Sequence, residues 1–238
     1  MSILLLQRGA SAIPIVQAGL VVYYRLDEGS GQAVADQTGN GHNGTLGSTA
    51  GADTNDPSWV PEGLSFTTDD YITTVNNVAT EPDAWTVCAA VQFSAGVDQP
   101  FVGWASITSS RPGINLSTSG FPLIYQGASN FRYFKGNDPV NLQDEGWHFV
   151  VFRSPGMSAT DITNASLRVD GQQQAVQSTT NGGDGQAKTL FRLGALASKF
   201  LSGSLAFFTM HNRVLSDAEA DQMREYARQV LEDRVTLP

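Results

Sequence analysis

Trp85-Thr86-Val87-Cys88-Ala89-Ala90-Val91-Gln92-Phe93 has a period of two. A β-strand uses that period and a helix does not. Trp85, Val87, Ala89, Val91 and Phe93 fall on one face, which predicts that this face lines a core. Trp147-His148-Phe149-Val150-Val151-Phe152 is apolar on both faces, so it reads as a central strand covered on both sides. Outward from this pair, strand-like runs recur at short spacing. They include Val21 to Leu26, Leu64 to Phe66, Tyr71 to Thr74, Phe101 to Ile107, Phe121 to Tyr125, Leu190 to Leu193 and Gly203 to Met210. Within the last, Leu205, Phe207 and Thr209 alternate with Ala206, Phe208 and Met210. Leu167-Arg168-Val169 meets Asp170-Gly171, a hairpin signal. Short strands parted by turn residues predict an all-β sandwich or barrel.

Both ends depart from the pattern. Residues 1–18 carry Ile3, Leu4, Leu5 and Leu6, then Ile13, Ile15 and Val16, without a helical repeat. Pro14 argues against a helix there. This piece reads as an extended arm that shelters on its own domain's edge or on a neighbouring subunit, because an exposed apolar arm is a liability. At the other end, Ser216-Asp217-Ala218-Glu219 is a capping box. Ala220, Met223, Ala227, Val230 and Leu231 follow at helical spacing, and Arg228 and Arg234 suit the negative end of the dipole. The expected organisation is an arm over 1–18, a sandwich over 19–215 and a C-terminal helix over 216–238.

Composition removes several function classes. The 238 residues include 14 Lys or Arg and 23 Asp or Glu, a net charge of −9, which disfavours nucleic acid and anionic membranes as partners. Charged residues are 16% and hydrophobic ones 41%, so the chain reads as compact. One cysteine, Cys88, excludes an internal disulfide and a Cys-based zinc site. Cys88 sits in the Trp85 strand and reads as a small buried hydrophobe. No apolar run approaches the roughly 18 residues of a membrane span. The apolar start has no basic residue before it, so a cleaved secretory leader is not expected.

Several segments together resemble one family. Gly19-Leu20-Val21-Val22-Tyr23-Tyr24-Arg25-Leu26-Asp27-Glu28-Gly29-Ser30-Gly31 is similar to the opening strand and turn of laminin-G-like jelly rolls, within the concanavalin A-like lectin/glucanase superfamily. Asp36-Gln37-Thr38-Gly39-Asn40-Gly41-His42-Asn43-Gly44 resembles the family's Gly-Asn-Gly turn. Leu64-Ser65-Phe66 with Asp69-Asp70-Tyr71-Ile72 resembles the next hairpin. Trp147 to Val150, then Leu167 to Gly171, resemble the late central strands. Gly203-Ser204-Leu205 through Asn212-Arg213-Val214-Leu215-Ser216-Asp217-Ala218-Glu219 resembles the closing strand and cap. The matches run in family order over residues 19 to about 221. The resemblance implies an all-β, two-sheet antiparallel jelly-roll sandwich.

It also implies chemistry to look for. Many relatives bind calcium near that turn, which makes Asp36 and Asn40 metal candidates. The partner acid of the closing strand is replaced by Ala206, and the alternative for both residues is turn formation. Glycosidases of this superfamily carry Glu-x-Asp-x-x-Glu on a strand. Glu219-Ala220-Asp221-Gln222-Met223-Arg224 lacks the last acid and reads as helix, and Glu81-Pro82-Asp83 has no third acid. No enzyme activity and no required cofactor are therefore expected. Sugar binding by the fold rests on aromatic faces beside polar groups, for which Trp104, Tyr125, Asn130, Arg132 and Tyr133 are candidates and core packing the alternative.

These features lead to three readings. The first is a non-catalytic virion surface protein, a phage head decoration or a tail, fibre or spike component. Its arm would dock on other virion subunits or clasp a homo-oligomer, and its jelly roll would serve assembly and host-glycan adhesion. The second is a stand-alone extracellular carbohydrate-binding lectin. The third is a diverged glycoside hydrolase.

Overall fold

The computed structural model describes residues 12–74, 84–104, 113–127, 130–134, 142–156, 161, 163–180, 191–196 and 198–238. Two antiparallel sheets face each other. At the centre of the first lies Trp85–Phe93, hydrogen-bonded to Trp147–Ser154 on one side and Gly203–His211 on the other. Ser166–Val169 and Gln172–Gln173 extend it beyond Trp147–Ser154. The far side of Gly203–His211 is shared. Leu20–Tyr24 takes its second half, and Gly63–Phe66, followed by Ser58–Val60, takes its start. Among the described residues the second sheet has nine strands, in the order Val176–Thr180, Asn130–Phe134, Pro122–Gly127, Gly113–Leu116, Gln99–Gly103, Arg192–Leu193, Ile72–Thr74, Gly44–Leu46 and Ala33–Val34. A short hairpin, Ala195–Leu196 with Lys199–Phe200, lies on its outer face. There Gly103 and Gly113 are required by close approach: a Cβ on either would meet Ala195 O at 2.4 Å or Leu196 Cδ2 at 2.5 Å.

The sheets bury one core between them and a second layer outside the first sheet. Trp85, Val87, Ala89, Val91 and Phe93 all belong to the inner core, as their alternation predicts. Cys88 and Ala90 point the other way, into a layer with Phe149, Val151, Ala206 and Phe207. Trp147–Ser154 is thus covered on both faces, with Val150 and Phe152 inside and Phe149 and Val151 outside. The outer cover is the helix Asp217–Leu231. Ser216 caps it in a reciprocal capping box with Glu219, and Ala220, Met223, Ala227 and Leu231 are its buried stripe. Burying Met223 and Leu231 contributes roughly 1.5–3 kcal/mol each. No helix among the described residues is long and apolar enough to cross a membrane.

Two details differ from the sequence reading, and a third chooses between its alternatives. Gly203–His211 does not alternate throughout: its register with Trp85–Phe93 shifts between Leu205 and Phe207. This bulge places Ala206 and Phe207 together in the outer layer and returns Phe208 to the inner core beside Leu205. Arg234 lies past the helix. Its guanidinium donates to Leu26 O at 2.8 Å and Glu62 O at 3.2 Å, tying the C-terminus to two loops. Finally, the second half of the arm is used within the chain. Ile13 N donates to Gln229 Oε1 at 2.9 Å, Gln222 Nε2 donates to Pro14 O at 2.8 Å, and Val16 and Ile15 join the helix layer. His211 Nε2 donates to Val16 O at 3.0 Å, which fixes its proton on that nitrogen. Ile3, Leu4, Leu5 and Leu6 lie outside the described residues.

Candidate functional site

The residues singled out for sugar binding do not form one surface. Trp104 is fully buried, with its ring 5.1 Å from that of Trp85 and 5.9 Å from that of Phe191. It fills the space between the sheets and presents no face to a ligand. Tyr125, Asn130, Arg132 and Tyr133 sit on the paired strands Pro122–Gly127 and Asn130–Phe134. The register sets Tyr125 against Phe131, Leu123 against Tyr133 and Ile124 against Arg132. Of the four, only Arg132 has a described side chain. It is half-buried and lies 5.9 Å over the ring of Phe134, a core residue.

Asp36 and Asn40 build the turn instead of a calcium site. Asp36 Oδ1 accepts Tyr23 N at 3.2 Å and Thr38 N at 3.1 Å, and Oδ2 accepts His42 N at 3.1 Å. Thr38 Oγ1 donates to the same carboxylate at 2.8 Å. Asn40 turns its amide nitrogen inward, donating to Val21 O at 2.9 Å. A calcium ion needs oxygens converging with free lone pairs. Here the carboxylate is surrounded by donors, Asn40 offers N–H, and Ala206 lies beneath the helix, so the residues present do not fit the ion. Among the described residues no group of three or more His, Cys, Asp or Glu could hold a metal.

A cleft of about 320 Å³ opens where three loops meet at one end of the sandwich, lined by Thr67, Thr68, Val97, Phe200 and Ser202. Each loop is held by its own hydrogen bonds. Thr67 N and Oγ1 donate to Asp70 Oδ2 at 2.7 and 2.8 Å. Gly96 N donates to Gln143 Oε1 at 3.1 Å, and Gln143 Nε2 donates to Val97 O at 2.6 Å. Gln99 links the other two, accepting Ser202 N at 2.9 Å and donating to Ser94 O at 2.8 Å. Val97 is left 41% exposed, an apolar side chain in water at the cleft's lip. Behind Phe200 lies Tyr71, stacked at 6.3 Å and 27°, and over Tyr71 lies the guanidinium of Arg192 at 5.2 Å. Lys199 is paired with Asp98, which also accepts from Asn115. An aromatic wall beside three hydroxyls on a fixed frame suits a small ligand with both C–H and O–H faces. None of these five residues was expected from sequence. The available signal was Val97, a branched apolar residue in the turn Ala95-Gly96-Val97-Asp98.

His148 forms a separate charged junction near the helix. Nδ1 lies 2.7 Å from Asp170 Oδ2 and Nε2 lies 3.0 Å from Asp144 Oδ1, so the protonated ring has a carboxylate acceptor at each nitrogen. Burial acts to lower its pKa, but the hydrogen bonds and charges of Asp170 and Asp144 outweigh it and raise the pKa above 6.5. His211 is shifted the opposite way, to about 4, chiefly by burial. The raised group adds stability that is complete below 6.5 and lost as pH rises through its folded value. The lowered group costs stability as pH falls from 6.5 toward 4. Thermal melting followed from pH 4 to 9 should therefore peak near about 6.5. His148→Asn should flatten the alkaline side and leave the acid side, whereas an unchanged alkaline slope would remove His148 as its source.

The Laminin_G_3 family model, described as the concanavalin A-like lectin/glucanases superfamily, matches residues 66–221. That span holds every residue of the cleft and excludes Asp36 and Asn40. The chain belongs to this superfamily. By sequence, no characterised protein matches at a significant level. Among solved structures, domain 4 of an extracellular arabinanase from Geobacillus stearothermophilus, in complex with arabinotriose, superposes with a TM-score of 0.61 at 16% identity, over 87% of this chain and 98% of that one. Trypanosoma rangeli sialidase superposes with 0.62 at 17% identity, over 90% of this chain and 33% of its own. The binding domain of botulinum neurotoxin DC, in complex with SialylT, gives 0.57 at 8% identity, over 88% of this chain and 52% of its own. The chain thus spans about a third of the sialidase and half of the toxin domain. At these identities the likeness is one of fold.

Proposed function

We propose that the chain is a non-catalytic carbohydrate-binding module whose cleft at Thr67, Thr68, Val97, Phe200 and Ser202 receives the sugar. The observation that carries this is the cleft itself, an aromatic and hydroxyl-lined recess on a lectin-type sandwich. The arabinanase domain, solved with arabinotriose, supports it as a fold neighbour covered almost end to end. The carboxylates beside the cleft favour binding over hydrolysis. Asp70 is occupied by Thr67, and Asp98 by Lys199 and Asn115, so neither is free to act as a proton donor or nucleophile. The module would work at a glycan-bearing surface, extracellular or on a virion. A virion or oligomer role would draw on Ile3, Leu4, Leu5 and Leu6. Ile13, Ile15 and Val16 already pack on or bond to the chain's own helix region.

A glycan array on the purified chain tests the reading, followed by titration of the best binder. Phe200→Ala should weaken that binding at least about tenfold, the equivalent of 1.4 kcal/mol, and leave the melting temperature within a few degrees. Silence across the array, or full affinity in Phe200→Ala, would overturn it.

A further inference from the structure

We propose that Gln99 and Gln143 are positioning residues of the sugar site: they set the Val97 lip and the Ser202 wall in place without lining the cleft. The inference rests on the carbohydrate reading above and deepens it. Residues 94–98 join Trp85–Phe93 in the first sheet to Gln99–Gly103 in the second. A connection between stacked sheets crosses about 10 Å and has no partner strand. Its peptide groups must therefore find side chains or water. Two primary amides supply the partners here. Gln143 Oε1 accepts Gly96 N at 3.1 Å, and its Nε2 donates to Val97 O at 2.6 Å. Gln99 Nε2 donates to Ser94 O at 2.8 Å, and its Oε1 accepts Ser202 N at 2.9 Å. Ser94 N closes this bracket by donating to Ser202 O at 2.8 Å.

The place requires an amide. Each glutamine meets one N–H and one carbonyl, so each must present an acceptor and a donor from one planar group. A carboxylate offers acceptors alone, and an apolar side chain offers neither. Gln99 is fully buried and Gln143 is 6% exposed, so water does not readily stand in for a lost partner. The peptide groups they hold belong to Ser94, Gly96, Val97 and Ser202, and two of those four residues line the cleft. The division of labour follows from the bonds. Gln143 fixes the lip at Gly96 and Val97, whereas Gln99 ties the base of the lip to the wall that carries Phe200 and Ser202. A lip ordered in advance leaves less ordering for the ligand to supply, and that saving appears as affinity.

Gln143→Glu exchanges one heavy atom and tests the assignment. The oxygen that accepts Gly96 N can stay. The donor to Val97 O becomes a hydroxyl when the carboxyl is protonated and a repelling anion when it is not. A glutamate titrates near about 4.3, and burial against a carbonyl raises that value. The best binder of the glycan array is titrated from about pH 4.5 to 8 against the parent, Gln143→Glu, Gln99→Glu and Gln173→Glu. Gln143→Glu should bind nearly as the parent does at the acid end and at least about tenfold more weakly at the alkaline end. Gln99→Glu should lose more, because it loosens both walls. Gln173 donates to Leu167 O at 3.0 Å away from the cleft lining, so Gln173→Glu should follow the parent throughout. Gln99 is the more deeply buried, and Gln143→Glu keeps the test decisive where Gln99→Glu does not fold. Hydrogen exchange without glycan reads the lip directly. In Gln143→Ala the Gly96 amide should exchange at least about tenfold faster, with Ala89 of the central strand at the parental rate. An affinity ratio of Gln143→Glu to parent that stays flat with pH, an equal loss in Gln173→Glu, or unchanged Gly96 exchange would overturn the inference and leave the carbohydrate reading standing. Silence of the parent on every glycan would remove both.

Discussion

Gly203→Ala should destabilise the domain by about 3 kcal/mol or more, enough to leave much of it unfolded or insoluble on expression. Gly203 opens the strand that both neighbours need, pairing with Phe66 on one side and Phe93 on the other. Its φ is +148°, a region that only glycine enters readily. An added Cβ would also lie 2.0 Å from Gln92 O and 3.0 Å from Phe93 Cα. Those are backbone atoms of the central strand, and Gln92 is fixed by its pairing with Trp147 and Ser204. No side-chain rotation relieves the contact. Gly29→Ala is the control. It has φ +70° with nothing within 4 Å of the added atom, so it should cost only the conformational penalty of about 1–2 kcal/mol. Urea unfolding of the two variants separates strain from clash. Equal losses would show that the close approach to Gln92 is not what requires glycine.

What could be read in advance was whatever depends on neighbours in the chain. The Trp85 strand keeps a strict period of two, and its face was readable because nothing interrupts it. Ser216 and Glu219 stand three apart, the distance a capping box spans, so the helix start was readable as well. Phe207 was grouped with Leu205, from which the structure separates it, because a bulge adds one residue without a glycine or proline to announce it. Trp104 was offered to a sugar for a similar reason. Its strand ends next to it, and only the opposing sheet decides that the indole turns inward. The cleft was invisible because Thr67, Val97 and Phe200 come from three loops that only the completed sandwich brings together.

Trp104→Ala should cost about 3–5 kcal/mol, the usual loss for truncating a buried aromatic, because Trp85, Phe191 and their neighbours cannot close over the space. Trp104→Phe should cost far less, under about 1.5 kcal/mol. The indole Nε1–H is buried and has no hydrogen-bond partner among the described residues. Removing it therefore breaks no bond and relieves the penalty of a desolvated donor, which offsets part of the lost packing. The two variants also separate core from site. Among folded molecules, both should bind glycan as the parent does, whereas Phe200→Ala should lose affinity at nearly unchanged stability. Chemical denaturation and glycan titration on the same three proteins read both quantities. Lost affinity at parental stability in Trp104→Phe would return the indole to the binding surface and overturn its placement in the core.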